Sequence, residues 1–311
     1  VDHILILGGG GFLGANLARG LVKAKFRVSI LERPGADLSR LADLLPSLKV
    51  FEVLLGETAQ VRELIRSIGV DTVIHLASSL LPSSLGADFA REQREVVVPT
   101  FSLLSELAEL GVKVVFFSSG GTVYGRAQHG PFRETDPRVP INFYGLSKSL
   151  SEDGIAFLHR VAGLKFLVLR PSNPYGKFQP MRGSQGFISV VIRKALAGEP
   201  IEIWGDGSVV RDYLLVDDLV QAVTELLVRD VQGVTLNLGS GVGHSLVEVV
   251  ATIEEVLGRS LPLVFQPGRP VDVPVSVLDI SNLRRCIPFD PLDLRHGILN
   301  YYQWIKACHG Q

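Results

Sequence analysis

The first half of the chain alternates short, continuously apolar runs with longer stretches whose apolar residues recur every three or four positions. The short runs are HILIL (3–7), RVSIL (27–31), LKVFEV (48–53), TVIHL (72–76), KVVFFS (113–118) and KFLVLR (165–170). Unbroken apolar character is what a strand covered on both faces requires. The longer stretches, 12–24, 59–68, 92–110 and 144–162, predict helices. Strand and helix in alternation predict an α/β fold, a Rossmann-like doubly wound parallel sheet with right-handed crossovers. That handedness brings the C-terminal ends of the strands to one edge, where ligands bind.

After residue 171 the rhythm changes. A loop rich in Pro, Asn and Gly (171–184) leads to a helix at 185–197, then IEIWG, a GDG turn and RDYLLV. A helix at 217–228, VTLNLG, a helix at 245–257, LPLVF and a last helix near 292–306 follow. This predicts a smaller C-terminal α/β lobe over 172–311, laid against a sheet domain of 1–171 that parts of 210–232 rejoin. A cleft is expected between the two.

Composition narrows the function classes. Of 311 residues 46% are apolar and 20% charged, which excludes a disordered chain. Lys plus Arg number 31 and Asp plus Glu 32, so no basic surplus points to nucleic acid or an anionic membrane. No apolar run reaches the roughly 18 residues of a membrane helix. HILIL runs straight into glycines, unlike the basic-then-apolar layout of a signal peptide. The two cysteines, Cys286 and Cys308, are expected as free thiols in a reducing, cytoplasmic setting. The sequence has no C-x-x-C, no H-E-x-x-H and no histidine cluster, so no metal is expected.

Chemistry first shows in the glycines. HILIL leads into Gly8-Gly9-Gly10-Gly11-Phe12-Leu13-Gly14 and then a helix. Gly9, Gly11 and Gly14 satisfy G-x-G-x-x-G; Gly8, Gly11 and Gly14 satisfy a looser version. Early glycines permit a sharp turn, the middle one lets a pyrophosphate approach the backbone, and the last lets helix pack on strand. The helix N-terminus offers unpaired N–H groups and partial positive charge. The second strand ends in Glu32, the place of a carboxylate for the adenosine ribose hydroxyls, which would repel a 2′-phosphate. NAD is therefore expected over NADP, with Arg33 the one residue nearby arguing the other way. Glu57, past the third strand, is a candidate for the adenine or a solvated loop carboxylate.

Tyr144-Gly-Leu-Ser-Lys148 puts a phenol and an ammonium on one helix face. A cation about 6 Å away, at an effective dielectric near 20, favours phenolate by roughly 3 kcal/mol, or about two pK units. Such a pair suits a proton shuttle for an alcohol oxidised beside NAD.

Together with LGGGGFLG and YGLSK, the segments DTVIHLAS, FFSSGGTVYG, LRPSNPYG, GDGSVVRDYLLVDD, NLGSG and RPVDV follow in one order along the chain. In this the sequence resembles the extended short-chain dehydrogenase/reductases that act on nucleotide sugars, with UDP-glucose 4-epimerases nearest. The resemblance implies Tyr144 and Lys148 as the catalytic pair, with Lys148 also on the nicotinamide ribose. It implies cofactor contacts from Gly8, Gly11, Phe12, Leu13, Gly14, Leu76, Ala77, Ser118 and Pro171. The activity it implies is epimerisation at C4 of a UDP-hexose through a transient 4-keto sugar, with NAD regenerated each cycle. A nucleotide-sugar reductase or dehydrogenase, an epimerase at another carbon, and a non-catalytic dinucleotide-binding protein stay open as alternatives.

The family's third catalytic residue is a Ser or Thr three places before the Val of VYG, and here that place is Gly120. A neighbouring hydroxyl, Thr122 in preference to Ser119, is expected to reach in. Dehydratases of the family carry an Asp-Glu pair just before VYG, and decarboxylases a Glu. Gly121 and Thr122 stand there, which argues against elimination. By the same resemblance Ser119, Gly120, Thr122, Asn173, Arg211, Arg269 and Asp272 line the nucleotide-sugar site. Small Ser276 would leave room for an N-acetyl group. Helices near 92–110 and 144–162 pair in relatives as a dimer seam, so a homodimer is expected; Val96 and Pro99 replace the Asn and Gly of the family's N-V-x-G-T segment.

Overall fold

The computed structural model describes residues 2–81, 83–126, 130–181, 186–268 and 273–309. The chain runs β1 (His3–Leu7), α1 (Phe12–Lys23), β2 (Arg27–Glu32), β3 (Lys49–Glu52), α2 (Thr58–Ile68), β4 (Thr72–His75) and α3 (Gly86–Glu92). A π-helical turn, Gln93–Val97, joins α3 to α4 (Val98–Leu110); then come β5 (Lys113–Phe117), α5 (Phe143–Ala162), β6 (Phe166–Pro171) and β7 (Asn173–Tyr175). The remainder is α6 (Phe187–Ala197), β8 (Ile201–Trp204), β9 (Val210–Leu215), α7 (Val216–Val228), β10 (Val234–Leu238), β11 (Gly243–Ser245) and α8 (Leu246–Leu257). Last come β12 (Leu263–Gln266), β13 (Val275–Ser276), α9 (Ser281–Cys286) and α10 (Leu294–His309).

Seven parallel strands form the main sheet in the order β10-β6-β5-β4-β1-β2-β3. All six apolar runs of the first half are among them. Their unbroken apolar character has a direct cause. Ile4 and Ile6 of β1 point into a core shared with Leu17, Ala18 and Leu21 of α1 and Leu226 of α7. Leu5 and Leu7 point to the opposite core, with Val61 and Ile65 of α2, Leu103 and Leu107 of α4 and Ile155 of α5. Alternate residues feed two cores, so none is polar.

The strand order reverses between β1 and β4, which opens a crevice at the C-terminal ends of those two strands. The chain leaves the sheet after β6 and comes back over residues 216–238. Gly20 of α1 lies directly against Val220 of α7, and β10 pairs with β6. The smaller lobe has its own core, built from Ile188, Val191, Val249, Ile253, Ile298 and Tyr301. Its sheets are short: β9 pairs with β7, β11 and β13, and β8 pairs with β12.

One boundary differs in an instructive way. The helix expected at 92–110 begins at Gly86, because the Asp88 carboxylate accepts from the Leu85 N–H (3.1 Å) and Phe89 stacks on Phe143. Its π turn lies just before Pro99, which has no N–H to close the normal helical ring. Among the described residues no helix is long and apolar enough to cross a membrane. Both cysteines are free.

Candidate active site

The glycine loop closes the crevice from below. Gly8 turns with φ +81°, its N–H donating to Leu31 O (3.0 Å). A Cβ on Gly14 would lie 2.5 Å from Gly9 Cα and 2.6 Å from Gly8 O, so only glycine lets α1 start so close to β1. A Cβ on Gly9 would meet Ile30 at 2.5 Å. No side chain caps α1, and its first turn holds no acidic residue. The turn's N–H groups and the positive helix end are therefore offered to a ligand's phosphates. Glu32 Oε1 accepts from Gly10 N (2.7 Å), which fixes the carboxylate beside the loop. These features fit a dinucleotide.

Above the loop is a cavity of about 370 Å³, lined by Gly8, Gly11, Phe12, Leu13, Gly14 and Leu76, then by Ser118, Ser119, Tyr144, Lys148 and Pro171. The glycine loop and the tyrosine–lysine pair, 130 residues apart in sequence, thus share one space. Leu81, Phe117, Ser172 and Pro174 complete the lining; the last three lie in the FFSSGGTVYG and LRPSNPYG segments, and Leu81 lies in none. Ser172 is buried and its Oγ has no hydrogen-bond partner. Glu32, Arg33, Glu57 and Ala77 are not in this lining. Arg33 is exposed, and Glu57 turns back to accept from Leu54 N (3.3 Å). Among the described residues no group of three or more His, Cys, Asp or Glu side chains could hold a metal ion.

Tyr144, Lys148 and Glu152 succeed one another at four-residue intervals on α5. Glu152 pins the helix to the sheet: it accepts from Arg170 Nε (3.0 Å) and Nη2 (2.6 Å) of β6, and from Ser118 Oγ at the end of β5. Asn142 caps the helix, its Oδ1 accepting from Gly145 N (2.7 Å), so the cap fixes the turn that holds Tyr144. Lys148 Nζ lies 5.6 Å from the Tyr144 ring centre and 5.1 Å from that of Phe116.

The electrostatics correct the simple two-charge expectation. Burial pushes the Tyr144 phenol up to about 12, with the Glu92 carboxylate adding to the rise. Burial pushes the Lys148 ammonium down to about 8, opposed by Glu92 and Glu152. For both groups desolvation is the largest influence. His75, behind the pair, is pushed down to about 3, first by burial and then by Lys148, and so is neutral. Glu92 is 1% exposed. Nothing in the sequence marked it, since one glutamate at the edge of an amphipathic stretch has no pattern of its own.

The hydroxyl question resolves into geometry. A Cβ at Gly120 would fall 2.6 Å from Leu278 Cδ1 and 2.9 Å from Arg170 O, so Leu278 occupies the space a serine would need. Ser119 lines the cavity with Tyr144 and Lys148, and Thr122 does not. The Thr122 backbone packs under Gly145, and its Oγ1 is buried without a partner. In the lobe, Asn173 Nδ2 donates to Asp212 O (2.8 Å), which ties β7 to β9. Arg211 Nη1 donates to Val210 O (2.8 Å) and Val273 O (2.6 Å), and Ser276 stands opposite Arg211 in the β13–β9 pairing. Arg269 and Asp272 lie outside the described residues.

Restoring a hydroxyl at position 120 is therefore expected to harm the protein. Gly120→Ser should lower unfolding free energy by about 1–3 kcal/mol through overpacking against Leu278, measured by urea denaturation, without raising turnover. A variant as stable as the parent would contradict the packing reading.

Known proteins resemble this chain over nearly its whole length. The chain is 32% identical over 289 residues to a dTDP-4-dehydro-6-deoxyglucose reductase of Escherichia coli, covering 90% of each chain. It is 30% identical over 307 residues to a UDP-glucose 4-epimerase of Azospirillum brasilense, covering 93% of this chain and 87% of that one. The crystal structure of UDP-glucose 4-epimerase with UDP-glucose from Thermotoga maritima superposes with a TM-score of 0.91 at 27% identity, covering 99% of both chains. Residues 4–239 match the NAD dependent epimerase/dehydratase family. With the glycine loop, the tyrosine–lysine pair and this match in agreement, the chain belongs to the NAD-dependent epimerase/dehydratase family.

Proposed function

We propose that the protein interconverts the C4 epimers of a UDP-hexose, using NAD as a resident cofactor. The observation that carries this is the shared cavity, which holds the glycine loop, Tyr144, Lys148 and Ser119 and, among the described residues, is lined by no side-chain carboxylate. Elimination of water needs an additional acid or base beside the sugar, and Gly121 and Thr122 stand where dehydratases of the family carry Asp and Glu.

Bound NAD supplies a reversible hydride acceptor and donor. The chain's own residues handle the proton on oxygen. Tyr144 Oη takes the C4 hydroxyl proton as C4 becomes a carbonyl, and returns it once the other face has been reduced. Ser119 bridges the C4 oxygen and Tyr144. Lys148 supplies the positive charge that the phenolate requires. The loop N–H groups at the start of α1 and Glu32 hold the cofactor's pyrophosphate and adenosine ribose. Arg211, beside Ser276, faces the nucleotide side of the lobe, and Ser276 leaves room for a 2-N-acetyl group.

A reductase is the second reading, supported by the 32% identity to the Escherichia coli dTDP-4-dehydro-6-deoxyglucose reductase. The two part on reductant. Incubation with UDP-glucose and with UDP-N-acetylglucosamine, no NAD(P)H added, should yield the C4 epimers by NMR. Tyr144→Phe should lower kcat by a factor on the order of 10² to 10⁴. Ser119→Ala should cost about 10² to 10³, and Thr122→Val should leave the rate unchanged. Oxidation of NAD(P)H in step with reduction of a nucleotide 4-keto sugar, with neither UDP-sugar epimerised, would establish the reductase, and an active Tyr144→Phe would remove the mechanism.

A homodimer belongs to the same reading. Gly154 of α5 sits directly against the Phe101 ring, so α4 and α5 pack side by side. They leave Val98, Phe157 and Val161 more than half exposed, an apolar surface suited to a second copy. The free cysteines suit a reducing, cytoplasmic setting. Sedimentation velocity should show a dimer that Phe157→Glu converts to monomer; a monomeric parent would contradict this.

A further inference from the structure

The loop after β4 and the helix after it hold a charge that the proton-transfer scheme has not used. Glu92, the last residue of α3, is 1% exposed. A carboxylate kept from water needs donors or a cation. Three donors come from the loop: Ser78 Oγ to Oε1 (3.0 Å), and Ser79 N (2.7 Å) and Ser79 Oγ (2.6 Å) to Oε2. The same loop continues to Leu81, part of the cavity wall.

The rest of the packing turns Glu92 toward the catalytic helix. Phe89 stacks on Phe143 with ring centres 5.0 Å apart, and a Cβ on Gly86 would lie 3.7 Å from the same ring. Phe89 and Glu92, three residues apart, share one face of α3. The face that meets the start of α5 next to Tyr144 is therefore the face that carries Glu92. Directly after it the backbone widens into the π turn, a distortion that gathers at functional sites.

We propose that Glu92 is a positioning residue of this site: anchored by Ser78 and Ser79, its carboxylate is the buried negative charge that α3 sets against the Tyr144–Lys148 stretch of α5.

The groups around the pair can be named. On α5 they are Tyr144, Lys148 and Glu152, the last already engaged by Arg170 and Ser118. From β4 comes His75, neutral through burial. On Glu92's own stretch Arg91, Arg94 and Glu95 are exposed, and Arg91 pairs with Asp88 at 3.5 Å. Burial drives Lys148 toward its neutral form, and Glu92 is the first of the two charges that resist it. The same negative charge raises Tyr144. Glu92 therefore moves both members of the pair upward, and its neutralisation moves both downward.

The role rests on the proposed proton chemistry, but its test separates from it. In Glu92→Gln both limbs of the kcat/KM pH profile should shift to lower pH by about one unit, with Tyr144 and Lys148 titrating as a coupled pair. The lysine Cε–H resonance of Lys148, assigned with Lys148→Arg, should titrate at lower pH than in the parent whether or not any sugar nucleotide turns over. If Gln does not fold, Glu92→Asn, which is neutral and keeps an amide oxygen for the Ser78–Ser79 loop, should give the same shift. A lower rate with unmoved limbs and an unmoved Lys148 titration would overturn the proposal and leave Glu92 a loop anchor. A shifted Lys148 titration in a protein that converts no UDP-hexose would keep the proposal and defeat the epimerase reading.

Discussion

Keeping an ammonium charged inside a water-poor crevice is the constraint around which this site is arranged. Lys148 is buried and Tyr144 half-buried, and desolvation acts against the charged form of each. A lysine that lost its proton would have nothing to give a phenolate, so carboxylates must stand nearby. Glu152 supplies one and is itself fixed by Arg170 and Ser118. Glu92 supplies another. These partners come from β5, β6, α3 and the loop after β4, which is why a chemical pair on one helix depends on the whole C-terminal edge of the sheet.

The other half of the site depends on close approach. Gly9 and Gly14 let α1 begin almost in contact with β1, and the reversal of strand order beside β4 leaves room above the loop. The uncapped start of α1 then points at the same space as Tyr144. Leu278 fills the volume beside Gly120, and Ser119 is the neighbouring hydroxyl that the cavity reaches.

The sheet was legible because both faces of its inner strands are covered: those strands read as largely apolar runs, and each crossover helix has its period. The glycine loop and the tyrosine–lysine spacing were legible because one backbone turn and one helical repeat fix them. The short strands β7, β11 and β13, with two or three residues each, leave no period to detect. Burial of the pair was not legible either, so a spacing argument that used only the two charges gave the wrong direction for Tyr144. Glu92 matters through where the chain folds it, and a single residue in an unremarkable stretch carries no such signal. The sequence reading favours Thr122, two residues past Gly120 in the same loop, whereas of the two hydroxyls the one that lines the cavity is that of Ser119.

The central claim is that these side chains move a proton on oxygen only, while the hydrogen on carbon stays within the complex. Conversion of UDP-glucose in D₂O, followed by NMR at C4 of the product, tests it directly. The account predicts a product that retains protium at C4 through complete equilibration. Deuterium from solvent at C4 would mean that a side chain removes a proton from carbon, and would contradict it.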